Sequence, residues 1–294
     1  MRRWAGRWSR YWFAPASLDR LAICRILAFG WTIVCFLDWR YANFPSAPPP
    51  SKFFWEPTLL LRVLDELFGW GPPSVPVRQA VFGIGFAASC AACLGWKTRF
   101  TSLLATVTFW YLFSVRAGWF ISVRALWPGA TFCLMLLFLS LSPCGEALSL
   151  DHRFRFSRRL HSGAGWPIKL TAVLVCMVYL SAAWAKWRTS GLSWTNGYTL
   201  VYILMQGIDY FKNPLAVYLL PHFNVLRTLS WVVLLFESTF LLVMIYPSLK
   251  WLYLPLGLII HLSIKIFLYP AFSLLCACYI VFVDWDFIRG GYNR

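Results

Sequence analysis

Residues 168–186 read IKLTAVLVCMVYLSAAWAK. Between Lys169 and Lys186 no charge interrupts the run. A helix needs about 20 mostly apolar residues to cross a hydrocarbon core, with about 17 as the lower end, and this stretch meets that length. The rest of the chain is of the same kind. Of its 294 residues, 60 % are hydrophobic and only 13 % charged, and the mean hydropathy is +0.62. Soluble domains are about half apolar and about a quarter charged. Such a chain is neither a soluble enzyme nor a disordered protein. Its net charge of +16 does not point to nucleic acid either. A nucleic-acid binder gathers its basic residues on one polar face, whereas here they lie between apolar segments, where lipid headgroups would be.

Working outward from 168–186, the segments 21–39, 79–96, 101–115, 125–142, 226–246, 251–268 and 271–284 have the same character. The third and last of the eight are short and would need tilting or flanking Trp and Tyr to span. The expected fold is an all-α polytopic transmembrane helix bundle of about eight spans. With the N-terminus inside, most of the 27 Lys and Arg fall in short cytoplasmic pieces such as RFRFSRRL (153–160), and those outside are spread over long loops. That bias predicts both termini in the cytoplasm and a multi-pass protein of the cell inner membrane.

Around this frame, residues 1–17 form a basic segment. Trp4, Trp8 and Trp12 share a helical face among Arg2, Arg3, Arg7 and Arg10, which suits an amphipathic stretch lying on the membrane. Residues 18–286 make up the transmembrane domain, and 287–294 a short cytoplasmic tail. Prolines bracket a short amphipathic helix near 57–69, and 189–225 reads as interfacial or re-entrant pieces roofing the outer side. The nine Cys lie mostly in apolar segments and read as small packing residues. The CxxC of Cys90 and Cys93 reads the same way, having no neighbouring His or charge.

A charge at the centre of a bilayer costs at least about 2.5–3.5 kcal/mol, so each intramembrane ionisable residue is a functional candidate. The alternative is polar support between helices. Arg25, one turn into the first span, is close enough to snorkel to the inner headgroups. Glu237, in the middle of LSWVVLLFESTFLLVM, must be paired or protonated. His261 and Lys265 share a helical face at i, i+4. Lys186 is either a base with a buried amine or an anchor beside Trp184 and Trp187. Glu237, His261 and Lys265 are expected to point inward. No phosphate loop and no metal-ligand spacing occurs, so neither a nucleotide nor a metal is expected.

Several stretches resemble the HTTM family, the membrane region shared with vitamin K-dependent gamma-carboxylase. They are LDRLAICRILAFGWTIVCFLD, LGWKTRFTSLLA, LSLSPCGEALSLD, YLSAAWAKWRTSGLSWTNGYTLVY, LLFES and IIHLSIKIFLYPAFSLL. The resemblance implies a helical bundle with an outward-opening, lipid-accessible cavity. It also implies a reduced, vitamin K-like quinone as cofactor, with Lys186 in the position of the base that deprotonates it. His261 falls at a family histidine, and Trp184 and Trp187 would wall the site. Active chemistry would be carboxylase-like, a lyase or an oxidoreductase reaction of a quinol with oxygen. The sequence departs from the carboxylases at SVRAGWFISVRALW and within CGEALSLD, and the large domain that grips a protein substrate has no counterpart in these 294 residues. The expected partner is therefore a membrane lipid or quinone. The competing reading is a non-catalytic subunit packed with other membrane proteins in a larger respiratory or photosynthetic complex.

Overall fold

The computed structural model describes residues 12–38, 43–46, 55, 58–69, 71–120, 126–153, 160–161, 163–211, 214–268 and 272–285. Most of the expected basic segment 1–17, the tail 287–294 and most of RFRFSRRL lie outside the described residues. Among the described residues the secondary structure is helical except for one two-residue antiparallel pairing. It joins Ala16–Ser17 (β1) to Leu160–His161 (β2), with Ala16 opposite His161. The chain divides into two compact units, Met1–Thr171 with Ile280–Arg294, and Ala172–Tyr279.

In the first unit the long helices are α1 (Leu18–Leu37), α3 (Val75–Leu94), α4 (Thr98–Phe120) and α5 (Leu126–Ser140). A short amphipathic α2 (Leu59–Phe68) lies close to where the bracketing prolines place it. α1 begins at Ser17, whose hydroxyl accepts from the Arg20 N–H at 3.4 Å, the usual N-cap device. α1 packs on α3 and α5, and α4 packs on α3 and α5. Phe36, Phe82, Phe109 and Phe132, one from each long helix, join through edge-on ring contacts with centroids 5.0–5.8 Å apart. Gly85 lets α3 approach closely, because a Cβ there would come within 2.8 Å of the Thr108 hydroxyl and 2.9 Å of the Phe36 ring.

A helix forms on each of the eight apolar segments, but its ends often differ from the expected ones. The third segment, expected at 101–115, is helical from Thr98 to Phe120. Its polar residues are tolerated because Thr106 and Thr108 return their hydroxyls to the Ser102 and Leu104 carbonyls at 2.7 Å, and Thr106 also bonds Ser140 of α5. The sixth segment is interrupted. α9 (Phe223–Thr239) stops before α10 (Leu242–Ile245), where Ser238 and Thr239 bond back to the carbonyls four residues earlier, a pattern that bends helices. The eighth becomes α12 (Ser273–Ala277) followed by a tighter 3-10 turn, Cys278–Phe282. By length and hydropathy, four helical stretches among the described residues suffice to cross a membrane: Leu18–Leu37, Val75–Leu94, Gly165–Asn196 and Pro247–Phe267.

The second unit contains the later part of α6 (Gly165–Ser190), a 3-10 turn (Gly191–Asn196), α7 (Tyr198–Phe211), α8 (Leu215–Leu219), α9, α10, α11 (Lys250–Leu268) and α12. The NGYTLVYILMQGIDYF stretch, expected to be interfacial or re-entrant, is mostly the 14-residue helix α7. Leu204, Ala216 and Leu226 form a buried cluster covered by Val201, Leu219 and Phe267. α11 buries little of its surface. Gly257 and His261, one turn apart, are its buried positions among the described residues.

Arg25 corrects an expectation. Instead of snorkelling, it is fully buried. Its guanidinium donates to the carbonyls of Cys144 (2.8 Å), Ala147 (3.4 Å) and Leu148 (2.5 Å). Five fixed donors in a plane let one guanidinium satisfy several carbonyls of a curled run at once. The LGWKT turn meets the same segment. Gly95, at φ 73°, ends α3 and lies against Ser149 and Arg25. The Asp151 carboxylate accepts the Lys97 N–H (2.7 Å), the Thr98 N–H (2.8 Å) and the Thr98 hydroxyl (2.7 Å), and so caps α4 from 53 residues away.

Candidate functional site

Tyr179, Ala183 and Lys186 recur at i, i+4 and i+7 on α6, so they share a face that rises about 10 Å over the seven residues. Tyr179 and Ala183 are buried, and Lys186 is part-exposed. Lys186 Nζ donates to Glu237 Oε2 of α9 at 2.5 Å, with the two side chains 21 % and 13 % exposed. Glu237 is thus the paired carboxylate that its mid-helix position demands. The ammonium lies 5.1 Å from the centre of the Trp194 ring, and Trp194 is buried in the 3-10 turn that follows α6. One residue along each helix, the Trp187 indole N–H donates to the Ser238 hydroxyl at 3.3 Å.

The expected aromatic walls lie elsewhere. Trp184 and Trp187 are 65 % and 42 % exposed, because their positions flank the buried face of α6. Trp194 takes the place beside the lysine. Lys265 is exposed and not in the interior. It lies on the last turn of α11, 40° further round than His261 under helical geometry, and the buried stripe of that helix is too narrow to include it.

His261 is 8 % exposed. Its Nε2 bonds the Tyr179 hydroxyl at 2.7 Å, and the Tyr179 hydroxyl bonds that of Tyr279. The other ring nitrogen, Nδ1, is buried without a hydrogen-bond partner. Phe236 of α9 and Phe240, just past its end, pack on the Tyr179 ring at 5.1 and 4.5 Å, and Phe272 lies 5.1 Å from the imidazole. Gly257 leaves room for the Tyr279 hydroxyl, since a Cβ there would overlap it. A row of three polar side chains in an aromatic lining must be satisfied internally, because a bare polar group in an apolar interior costs about 1–3 kcal/mol. His261 Nδ1 is the one ring atom of the row left open.

The unit therefore holds two polar centres carried by the same face of α6, the Lys186–Glu237 pair and the Tyr179–His261–Tyr279 row. An amine 2.5 Å from a carboxylate can exchange a proton with it. An imidazole with one open nitrogen can donate to, or accept from, a ligand oxygen. Sequence reasoning missed both tyrosines. Tyr179 lies seven residues before Lys186 and so on its helical face, but that spacing alone does not mark it, and Tyr279 carried no signal. The remaining histidines are outside this arrangement: His152, His161 and His222 are exposed, and His161 accepts from the Gly163 N–H at 2.9 Å. Among the described residues no group of His, Cys, Asp or Glu could hold a metal, and all nine cysteines are free thiols.

No curated protein and no solved structure matches the chain. The family model described as the HTTM domain matches residues 13–287. That span contains every long apolar helix and both polar centres, and the protein is a membrane protein of the HTTM family.

Proposed function

We propose that the Lys186–Glu237 pair is the acid–base centre of a site for a membrane-borne hydroxyl compound, a quinol or a lipid, that enters from the bilayer. The observation that carries this reading is the 2.5 Å contact between two largely covered, oppositely ionisable side chains next to a buried polar row with an open histidine nitrogen. An aromatic and aliphatic lining with few polar groups is the usual surround for an apolar ring carrying oxygens, so the residues fit a reduced quinone. A quinol would supply an ionisable hydroxyl and reducing electrons.

In the resting pair the ammonium donates to the carboxylate. When that proton passes to Glu237, a neutral amine and a carboxylic acid remain, and the amine accepts the proton of the ligand hydroxyl. One proton has then moved from ligand to protein, and the ammonium it forms faces the Trp194 ring, which favours a cation. His261 Nδ1 orients the ligand through its open hydrogen-bonding position. In the same reading the chain crosses the cell inner membrane eight times with both termini cytoplasmic, supported by the Lys and Arg bias and the eight helical segments. A cytoplasmic reporter fused after Arg294 should be active; a periplasmic signal there would overturn this topology.

The outward-facing Trp184 and Trp187 favour a second reading, a subunit that packs against other membrane proteins. Purification of the full-length protein from its native membranes, followed by solvent extraction and mass spectrometry, separates the two. The site reading expects a quinone or hydroxyl lipid to be retained by the wild type and lost on His261→Ala, with Lys186→Arg folded but without function in the host. Recovery with stoichiometric partner subunits, no retained lipid and full function of Lys186→Arg would overturn the site reading in favour of the subunit.

A further inference from the structure

A cavity of about 430 Å³ lies in the first unit, where α4 begins, beneath the segment that follows α5. Its walls carry charges of both signs, Lys97 and Arg99 on one hand and Glu146 and Asp151 on the other, with His152 beside them. Asp151 is already engaged, since its two oxygens accept three hydrogen bonds from Lys97 and Thr98. The start of α4 is therefore occupied by this cap and is not an open anion site. Glu146 is exposed and remains as the carboxylate open to a ligand, opposite the exposed Lys97 and Arg99. From the cavity wall at Phe100 an exposed apolar stripe runs along α4 through Leu103 and Val107. These residues recur at i, i+3 and i+7, on one helical face.

We infer that this cavity binds the headgroup of an aminophospholipid of the phosphatidylethanolamine type. Its phosphate meets Arg99 and Lys97, its primary ammonium donates to Glu146, and its acyl chains lie along Phe100, Leu103 and Val107. Charge complementarity selects this occupant. A purely anionic headgroup satisfies the cations but faces an uncompensated carboxylate. A choline headgroup brings a cation with no N–H to donate. Only a headgroup with a phosphate and a primary amine can hydrogen-bond to wall groups of both signs, and only a ligand with attached chains uses the stripe below.

The test is native mass spectrometry of the delipidated full-length protein with phosphatidylethanolamine, phosphatidylcholine and phosphatidylglycerol of identical acyl chains. The expected result is retention of the ethanolamine lipid about tenfold more tightly than either of the others, which corresponds to about 1.4 kcal/mol. Glu146→Gln, an exposed substitution, should abolish that preference and strengthen phosphatidylglycerol binding. Arg99→Gln should weaken all three lipids. Unfolding curves of both variants should match the wild type, so that a loss reads as binding. The assignment is overturned if phosphatidylglycerol binds the wild type as tightly as phosphatidylethanolamine, or if Glu146→Gln leaves the preference intact. Equal competition by soluble glycerophosphoethanolamine would show a headgroup site without lipid, and would overturn the acyl-chain part.

Discussion

The Lys186–Glu237 pair makes a quantitative prediction that a double-mutant cycle can read. Two unit charges 2.5 Å apart attract by about 7 kcal/mol at an effective dielectric of about 20. Desolvation takes back several kcal/mol per ion, and the two side chains are 21 % and 13 % exposed, so neither is fully desolvated. The pair is therefore worth little net against two apolar side chains, whereas the coupling, from which each ion's own desolvation cancels, is about 5 kcal/mol. Lys186→Met strands the carboxylate, and Glu237→Leu leaves the ammonium with only the Trp194 ring. Each single change should cost about 3 kcal/mol, the lower end for breaking a buried pair. The double variant should recover to within about 1 kcal/mol of wild type, because apolar side chains of similar volume replace a buried pair at little net cost. Equilibrium unfolding in mixed micelles, read by tryptophan fluorescence, supplies the four free energies. If the double variant instead costs the sum of the singles, the two residues do not interact and the acid–base reading loses its foundation. Lys186→Arg completes the series. It should keep most of the stability, since guanidinium pairs bidentately with carboxylate, yet it cannot act as a base. Stability and function thus separate at one position.

Four further outcomes follow from the first unit. Arg25→Met should destabilise by about 3 kcal/mol in the same assay, because it leaves two buried carbonyls and one part-buried carbonyl without their charged donor, and Arg25→Lys should fall between it and wild type. Gly95→Ala should be severely destabilising, since its left-handed φ of 73° is strained for alanine and the added Cβ meets Ser149. Gly83→Ala, in a helix with nothing within 4 Å, should be neutral or stabilise by up to about 1 kcal/mol. Partial burial pushes the Asp151 pKa up, but the hydrogen bonds from Thr98 and Lys97 outweigh it and hold the carboxyl below its usual value. Its contribution is therefore complete above the unfolded value near 3.8 and is lost as pH falls through the lower folded value. Asp151→Asn should remove this part of the acid sensitivity in pH-dependent unfolding below about pH 4.

The apolar segments were legible because lipid tolerates few polar residues, and a run such as 168–186 has no soluble use. Glu237 and Lys186 were legible as candidates for the same reason, since each is costly alone. Their pairing was not, because nothing in the composition links residues 51 positions apart. Arg25 was legible as a structural residue but was given the wrong partner. Distance to the headgroups can be counted along a helix, whereas its true acceptors are backbone carbonyls, which every residue carries and no pattern distinguishes. Lys265 shows the limit of a periodicity argument. A spacing of i, i+4 places it near His261 in angle, but only contact decides how wide the buried stripe is, and on α11 that stripe holds Gly257 and His261.

The tyrosines show the same limit from the other side. Tyrosine is ordinary at membrane interfaces, so Tyr179 and Tyr279 carried no cost that would mark them. Their role depends on meeting a histidine in an apolar surround, where each hydroxyl must find a partner. The site therefore divides by physical cost. Charges that lipid would reject announce themselves in the sequence, while neutral polar groups become visible only when the fold removes their water. The open nitrogen of His261 belongs to the second kind. Its expense comes from the surrounding Phe272 ring and the occupied Nε2, and a ligand oxygen in that position would remove it.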